Sequence, residues 1–162
     1  LPSVTTRMFN NYGPRQNPRY ITGTIVTQAL EREIVELGNL QPKRDMCYVE
    51  DGVRGHLHVA LEGLPGEQYV YGHGENVSMR DWTNLILDVG AEEGYWERPE
   101  IVQADERYRP GDSDVEELLV GYKKLNQLTG WKPDVGWREG VRLTIDWYAN
   151  NKESWYGRVD WR

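Results

Sequence analysis

Cysteine is almost missing from this chain, which carries a single one, Cys47, in 162 residues. That excludes an internal disulfide framework and any C-x-x-C redox or metal motif. Cys47 lies in the apolar run Met46-Cys47-Tyr48-Val49, where it is expected to fill core in a reducing cytoplasm. Phenylalanine is as scarce, one against seven Trp and ten Tyr, so the aromatic load is amphipathic and suits pocket walls and interfaces. No apolar run approaches the length of a membrane span, and the opening residues do not form a charged-then-apolar leader. The expectation is a cytoplasmic protein without a membrane partner. There is also no cluster of Lys and Arg, and the net charge is −7, which argues against a nucleic-acid partner. An anionic ligand would then depend on a few focused arginines rather than a general basic field.

What remains is an ordinary globular composition, 38% hydrophobic and 28% charged, in a chain long enough for one domain with a real core. Residues 3–9 alternate with β-branched enrichment, which predicts a strand already under way at the first residue, as in a fragment; the dense turn signal Asn10-Asn11-Tyr12-Gly13-Pro14 ends it. Helical spacing of apolar residues covers Ile21 to Leu30, and Ile34-Val35-Glu36-Leu37 predicts a short strand ending at Gly38-Asn39. A strand is expected over 46–49, followed by a helix capped by Asp51, with Val53, Leu57, Ala60 and Leu61 on one face. Another strand runs from Glu67 to Tyr71. Ser78-x-x-Asp81 then resembles a capping box opening a helix whose Met79, Trp82, Leu85, Ile86 and Val89 face inward. A loop-rich stretch with Pro99, Pro110 and Gly111 leads to Leu118-Leu119-Val120. A helix around Lys123–Thr129 and one carrying Trp137, Val141, Ile145 and Tyr148 complete an interleaved α/β pattern. The last dozen residues have the look of a surface tail in which Trp155 and Trp161 are the candidates to dock.

Two motifs invite a wrong conclusion. Gly72-His73-Gly74 stands between a strand and a helix like a dinucleotide fingerprint, but Val77 occupies the place of the third glycine, and a turn explains it better. Tyr148-Ala-Asn-Asn-Lys152 has Tyr-x-x-x-Lys spacing, yet it lies at the end of the last helix with Tyr148 on the apolar face. His56 and His58, two apart on a helix, point to different faces and do not share a metal. The polar residues left at turn or strand ends include Asn10, Arg44 and Arg109, types whose amide and guanidinium donors suit a diphosphate. A purely structural alternative pairs Arg44 with Asp45 or Asp51 and makes Asn10 a turn residue.

Four segments carry a family resemblance. They are Arg7-x-Phe9-Asn10-Asn11-Tyr12-Gly13-Pro14-Arg15; Gly38-Asn39-x-x-x-Lys43-Arg44-Asp45 with Tyr48-Val49-Glu50-Asp51; Arg107-Tyr108-Arg109-Pro110 with Asp114-Val115; and Gly130-Trp131-Lys132-Pro133 with the closing helix Glu139 to Tyr148. Each alone is weak. In this order, across nearly the whole chain, they resemble the extended short-chain dehydrogenases that act on nucleotide sugars. The resemblance implies an α/β fold made of a C-terminal substrate-binding lobe plus the last strands of an NAD(P)-binding Rossmann-like sheet, residues 3–9 and 67–71 being those strands. Residues 1–162 would then be the C-terminal portion of a longer enzyme. Its N-terminal half would hold NAD or NADP and the Tyr/Lys pair, Ser or Thr and carboxylate that dehydrate the sugar, so no catalytic residue is expected here.

The resemblance further implies that Asn10, Arg44 and Arg109 clamp the diphosphate of a nucleotide-diphosphate sugar. Val35 and Leu37 would line the base pocket, with Tyr20 and Ile21 beside it, and Arg15 would meet cofactor across a subunit contact in a homo-oligomer, a dimer or tetramer. Asn-Asn-Tyr-Gly-Pro is similar to dTDP-glucose 4,6-dehydratases, whereas Gly38-Asn39-Leu40-x-x-Lys43-Arg44-Asp45 is similar to GDP-mannose 4,6-dehydratases. The expected activity of the whole enzyme is conversion of an NDP-hexose to an NDP-4-keto-6-deoxyhexose, GDP-mannose being favoured. A nucleotide-sugar 4-epimerase, a UDP-glucuronate decarboxylase and a non-catalytic nucleotide-sugar-binding or assembly module are the alternatives.

Overall fold

The structure is a computed structural model that describes residues 2–104, 115–157 and 159. Strand β1 (Thr5–Met8) pairs in parallel with β6 (Gln68–Tyr71), from Thr5 opposite Gln68 to Met8 opposite Tyr71. Strand β3 (Ile34–Leu37) pairs in parallel with β8 (Glu100–Gln103), and the short β2 (Asn11–Tyr12) with β5 (Cys47–Tyr48). A third arrangement is a three-stranded sheet with β4 (Lys43–Asp45) in its centre, antiparallel to β7 (Asn76–Ser78) and parallel to β9 (Glu117–Leu118). Helices α1 (Ile21–Ala29), α2 (Val49–Glu62), α3 (Met79–Glu92), α4 (Lys123–Thr129) and α5 (Trp137–Asn150) alternate with them. Parallel pairs joined through helices are the expected α/β fold. Among the described residues no helix is long and apolar enough to cross a membrane.

The sequence pattern placed most elements but missed β4, β7 and β8, and it read as a turn the Asn11-Tyr12 pair that forms β2. These strands are only two to four residues long and mix polar with apolar side chains, too short for a period to mark them. Strand β5 is shorter than expected, because Val49 already belongs to α2. Asp51 is not the cap of α2. That position is Tyr48, which makes no side-chain cap bond, and Asp51 sits in the first turn, fully buried. The cap expected at Ser78 is present, its Oγ accepting the Asp81 N–H at 3.0 Å.

The larger core gathers around α1, α3 and α5, with Trp82, Ile86, Val141, Ile145 and Tyr148 wholly enclosed. A smaller one, built on Val59, Tyr69, Tyr71, Leu125 and Trp131, lies between β6, α2 and α4. The excess of Trp and Tyr over Phe has a physical use here. The indole N–H groups of Trp82, Trp131, Trp137 and Trp155 donate to Thr22 Oγ1, Asp51 O, Met46 O and Tyr148 O at 3.0, 3.2, 2.8 and 2.9 Å. Each ring therefore fills volume and also pins one segment to another. Trp155 docks in this way at 3% exposure, so the tail is anchored there, while Trp161 lies outside the described residues.

Candidate active-site cleft

A cleft of about 1110 Å³ opens beyond the carboxyl ends of β1 and β3, the end of parallel strands at which α/β proteins bind ligands. Its walls come from segments far apart in sequence. Met8 to Asn17 supply one side, Tyr20 with Ile21 and Thr24 of α1 a second, and Leu37 to Asn39 a third; Arg44 and Leu118 of the β4 sheet close it, with Val115 beside them. Gly13 is needed where the chain turns, because at φ 151 an added Cβ would meet Val49 Cγ1 at 2.4 Å. Arg15 stands in the left-handed region at φ 66, a conformation that costs a side-chain-bearing residue about 1–2 kcal/mol. It lines both this cleft and a shallower one beside Asp51 and Arg54.

The charge of the cleft is the reverse of the chain's. In a molecule of net charge −7 its lining contains Arg15, Arg19 and Arg44, together with the amides of Asn10, Asn11, Gln16, Asn17 and Asn39, and no Asp or Glu among the described residues. Arg44 Nη1 donates to Val115 O at 2.7 Å and Lys43 O at 2.9 Å, which holds the guanidinium at the β4–β9 rim. The side-chain amide of Gln16 donates to Asn11 O at 2.7 Å, and Tyr148 Oη donates to Gln16 O, so the turn is fixed from beneath. The side-chain oxygens of Asn11 and Gln16 are buried and accept no bond from the described residues.

Of the residues singled out from sequence, Asn10, Arg15, Tyr20, Ile21, Leu37 and Arg44 are brought together around this cleft. Val35 is not. It is 0% exposed inside the larger core, because on a strand with alternating faces it and Leu37 both point inward, and only Leu37, at the strand end, reaches the cleft. Arg109 lies outside the described residues. Arg19 was missed by the sequence reading; its signal was its place between Pro18 and Tyr20 in the turn that leads into α1.

The misleading motifs have structural occupations. The N–H groups of His73 and Gly74 both donate to the Asp45 carboxylate, at 2.6 and 2.9 Å, and are not left for a pyrophosphate. Tyr148 is fully buried with its hydroxyl given to Gln16 O, and burial holds that hydroxyl above its ordinary pKa. Lys152 Nζ meets Glu31 Oε1 at 2.5 Å instead, so the two do not form a proton-transfer pair. The described residues thus provide no glycine-rich cradle for NAD(P). His56 contacts Tyr71 Oη at 2.8 Å and His58 contacts Glu62 at 3.5 Å, and no cluster of metal-binding side chains occurs among the described residues. Asp51, an alternative partner for Arg44, is instead bound to Arg54.

Comparison with known proteins agrees with the geometry. A family model described as GDP-mannose 4,6 dehydratase matches residues 1–144. A dTDP-glucose 4,6-dehydratase of Escherichia coli is 34% identical over 170 residues, covering 99% of this chain and 45% of that protein. Among solved structures, a dTDP-glucose 4,6-dehydratase from Streptomyces venezuelae with NAD and TYD bound superposes with a TM-score of 0.84 at 26% identity, over 96% of this chain and 46% of that one. An epimerase from Methanothermobacter thermautotrophicus gives 0.82 at 26% identity, over 95% and 45%. The chain spans a little under half the length of the curated relatives it matches.

Proposed function

This chain belongs to the GDP-mannose 4,6 dehydratase family, within the extended short-chain dehydrogenases that modify nucleotide sugars, and we propose that residues 1–162 are the C-terminal, substrate-binding portion of a nucleotide-sugar 4,6-dehydratase. The observation that carries this is the charge of the cleft, whose described lining gathers three arginines and five side-chain amides and no carboxylate in an acidic chain. Such a lining suits a diphosphate, whose oxygens take guanidinium and amide donors in several directions at once. In this proposal Asn10, Arg44 and Arg109 form the clamp. Tyr20, Ile21 and Leu37 supply the apolar contacts of the base, and the neighbouring strand position Val35 supports them from the core.

The chain's own residues bind and orient the substrate; the oxidation, loss of water and reduction belong to residues and an NAD(P) cofactor held mainly by the N-terminal half of the whole enzyme. Arg15, exposed at the mouth of the cleft, is assigned to the cofactor side in a cytoplasmic homo-oligomer. The Gly-Asn-Leu-x-x-Lys-Arg-Asp motif favours a guanine nucleotide, while the curated relatives are dTDP-glucose enzymes. We assign GDP-mannose as substrate and dTDP-glucose as its competitor. Calorimetric titration of the full-length enzyme with GDP-mannose and dTDP-glucose tests both points. Arg44→Ala and Arg109→Ala should each weaken binding by about 1.5–3 kcal/mol, the range for a charge-assisted hydrogen bond. Unchanged affinity in both variants would remove the clamp. Tighter binding and turnover of dTDP-glucose would reassign the base, and release of a 4-epimer with no loss of water would move the enzyme to the epimerases.

A further inference from the structure

Asp45 is fully buried, makes no part of the cleft lining, and yet is the residue next to Arg44. We propose that Asp45 is a positioning residue for nucleotide binding, fixing the strand from which Arg44 reaches the cleft. The proposal rests on the assigned role of Arg44.

Successive strand residues point to opposite faces, so β4 sends Arg44 toward the cleft and Asp45 into the protein. The two strands that flank Arg44 are held by that one carboxylate. On one side, Oδ1 accepts the His73 N–H at 2.6 Å and Oδ2 the Gly74 N–H at 2.9 Å, in the turn that leads into β7, whose Val77 pairs with Arg44. On the other side, the backbone of Val120, two residues after the Leu118 of β9 that pairs with Arg44, stands close enough to the Asp45 carboxyl to lower its pKa. Strand β9 is preceded by Val115, whose carbonyl accepts from Arg44 Nη1 at 2.7 Å. Cutting the Asp45 contacts therefore loosens both neighbours of Arg44 and the carbonyl that orients its guanidinium.

The chemistry calls for a carboxylate. Two N–H groups of adjacent residues converge on one side chain, one on each oxygen, and an acceptor-only group satisfies both. Asparagine would turn an NH₂ toward an N–H and leave a buried donor unpaired. The packing is equally close: a Cβ on Gly72 would lie 2.7 Å from Asp45 Oδ1 and 2.6 Å from Val120 Cγ1. Burial holds the pKa of Asp45 above the ordinary carboxylate value, and the backbone of Gly74, His73 and Val120 offsets that only in part.

The test is a double-mutant cycle in the full-length enzyme, with GDP and dTDP as calorimetric probes and steady-state kinetics on the sugar nucleotide that is turned over. If Asp45 acts through Arg44, Asp45→Asn weakens diphosphate binding about tenfold, raises KM, keeps kcat within about twofold at saturation, and adds nothing on top of Arg44→Ala. Additive losses, an unchanged affinity in Asp45→Asn, or a fall in kcat with KM unchanged would overturn the proposal. Should Asp45→Asn not fold, Gly72→Ala, which displaces the carboxylate without removing it, enters the same cycle under the same criteria. If Arg44→Ala alone leaves affinity unchanged, Arg44 drops out of the clamp and this inference falls with its assigned role. If Arg44→Ala weakens binding but Asp45→Asn does not, only this inference falls.

Discussion

Two carboxylates six positions apart, Asp45 and Asp51, are both fully buried and both spent largely on backbone. Asp51 receives the N–H groups of Asp134 and Val135 at 3.1 and 3.0 Å and the guanidinium of Arg54, which also reaches Asp134 Oδ2 at 2.9 Å. It thereby ties the start of α2 to the segment that leads into α5. Removing it leaves two partly buried donors without their partner, while Arg54, 38% exposed, recovers part of its solvation. Asp51→Ala should therefore cost about 2–4 kcal/mol, below the full value for a wholly buried pair. Urea denaturation would show this as a lower midpoint with an unchanged slope; a loss under about 0.5 kcal/mol, the range of a surface substitution, would contradict it. The Asp51 position was recognisable in the sequence as a helix start, but its use was not, because its partners lie more than 80 residues away in a segment without periodicity.

At the scale of the element, α2 shows where periodicity misleads. Val53, Leu57 and Leu61 form a helical stripe, yet they are 52%, 58% and 83% exposed, and the buried face is Asp51, Gly52, Gly55 and Val59. Close approach decides the orientation. A Cβ on Gly52 would stand 2.4 Å from Met8 Sδ, and one on Gly55 would stand 2.5 Å from the Tyr71 ring. Small residues let the helix lie directly on β1 and β6, and hydrophobicity scales give such contacts no weight. Helices α3 and α5, which meet the core through large side chains, were legible for the opposite reason: Trp82, Ile86, Val141 and Ile145 carry both the pattern and the packing. It follows that Gly55→Ala, which gains about 1 kcal/mol of helix propensity, should still be destabilising by about 1–3 kcal/mol, because overpacking against Tyr71 wins. The shift of the urea midpoint gives the sign directly, and a stabilised variant would mean that α2 does not lie on β6 as described.

Over the whole molecule the cleft was legible only as a set of residues. Asn10, Tyr20, Leu37 and Arg44 come from four separate segments, and their order in the chain carries a family pattern but no distances. What the sequence could not convey at all is how many ionisable groups the fold closes off, since that depends on packing among distant elements. Burial holds the hydroxyls of Tyr12 and Tyr148 above their ordinary pKa and pushes the Tyr71 hydroxyl and the Cys47 thiol up to about 12. In the unfolded chain these groups lose their protons near 9 for the thiol and 10 for the phenols. Above those values the unfolded state binds fewer protons than the folded one, so stability falls as pH rises. The contribution is fully present below pH 9 and is lost progressively toward 12 and beyond. Each group held protonated costs about 1.4 kcal/mol per pH unit over that window, and several act together. The urea midpoint should stay level with respect to these groups up to pH 9 and then decline steeply between 10 and 11. Tyr148→Phe removes one titrating group at the expense of its bond to Gln16 O; it should be less stable than the parent at pH 8 and lose less stability than the parent between pH 10 and 11. Parallel pH profiles for the two proteins would mean that the Tyr148 hydroxyl is open to solvent, and with it the floor of the turn that frames the cleft.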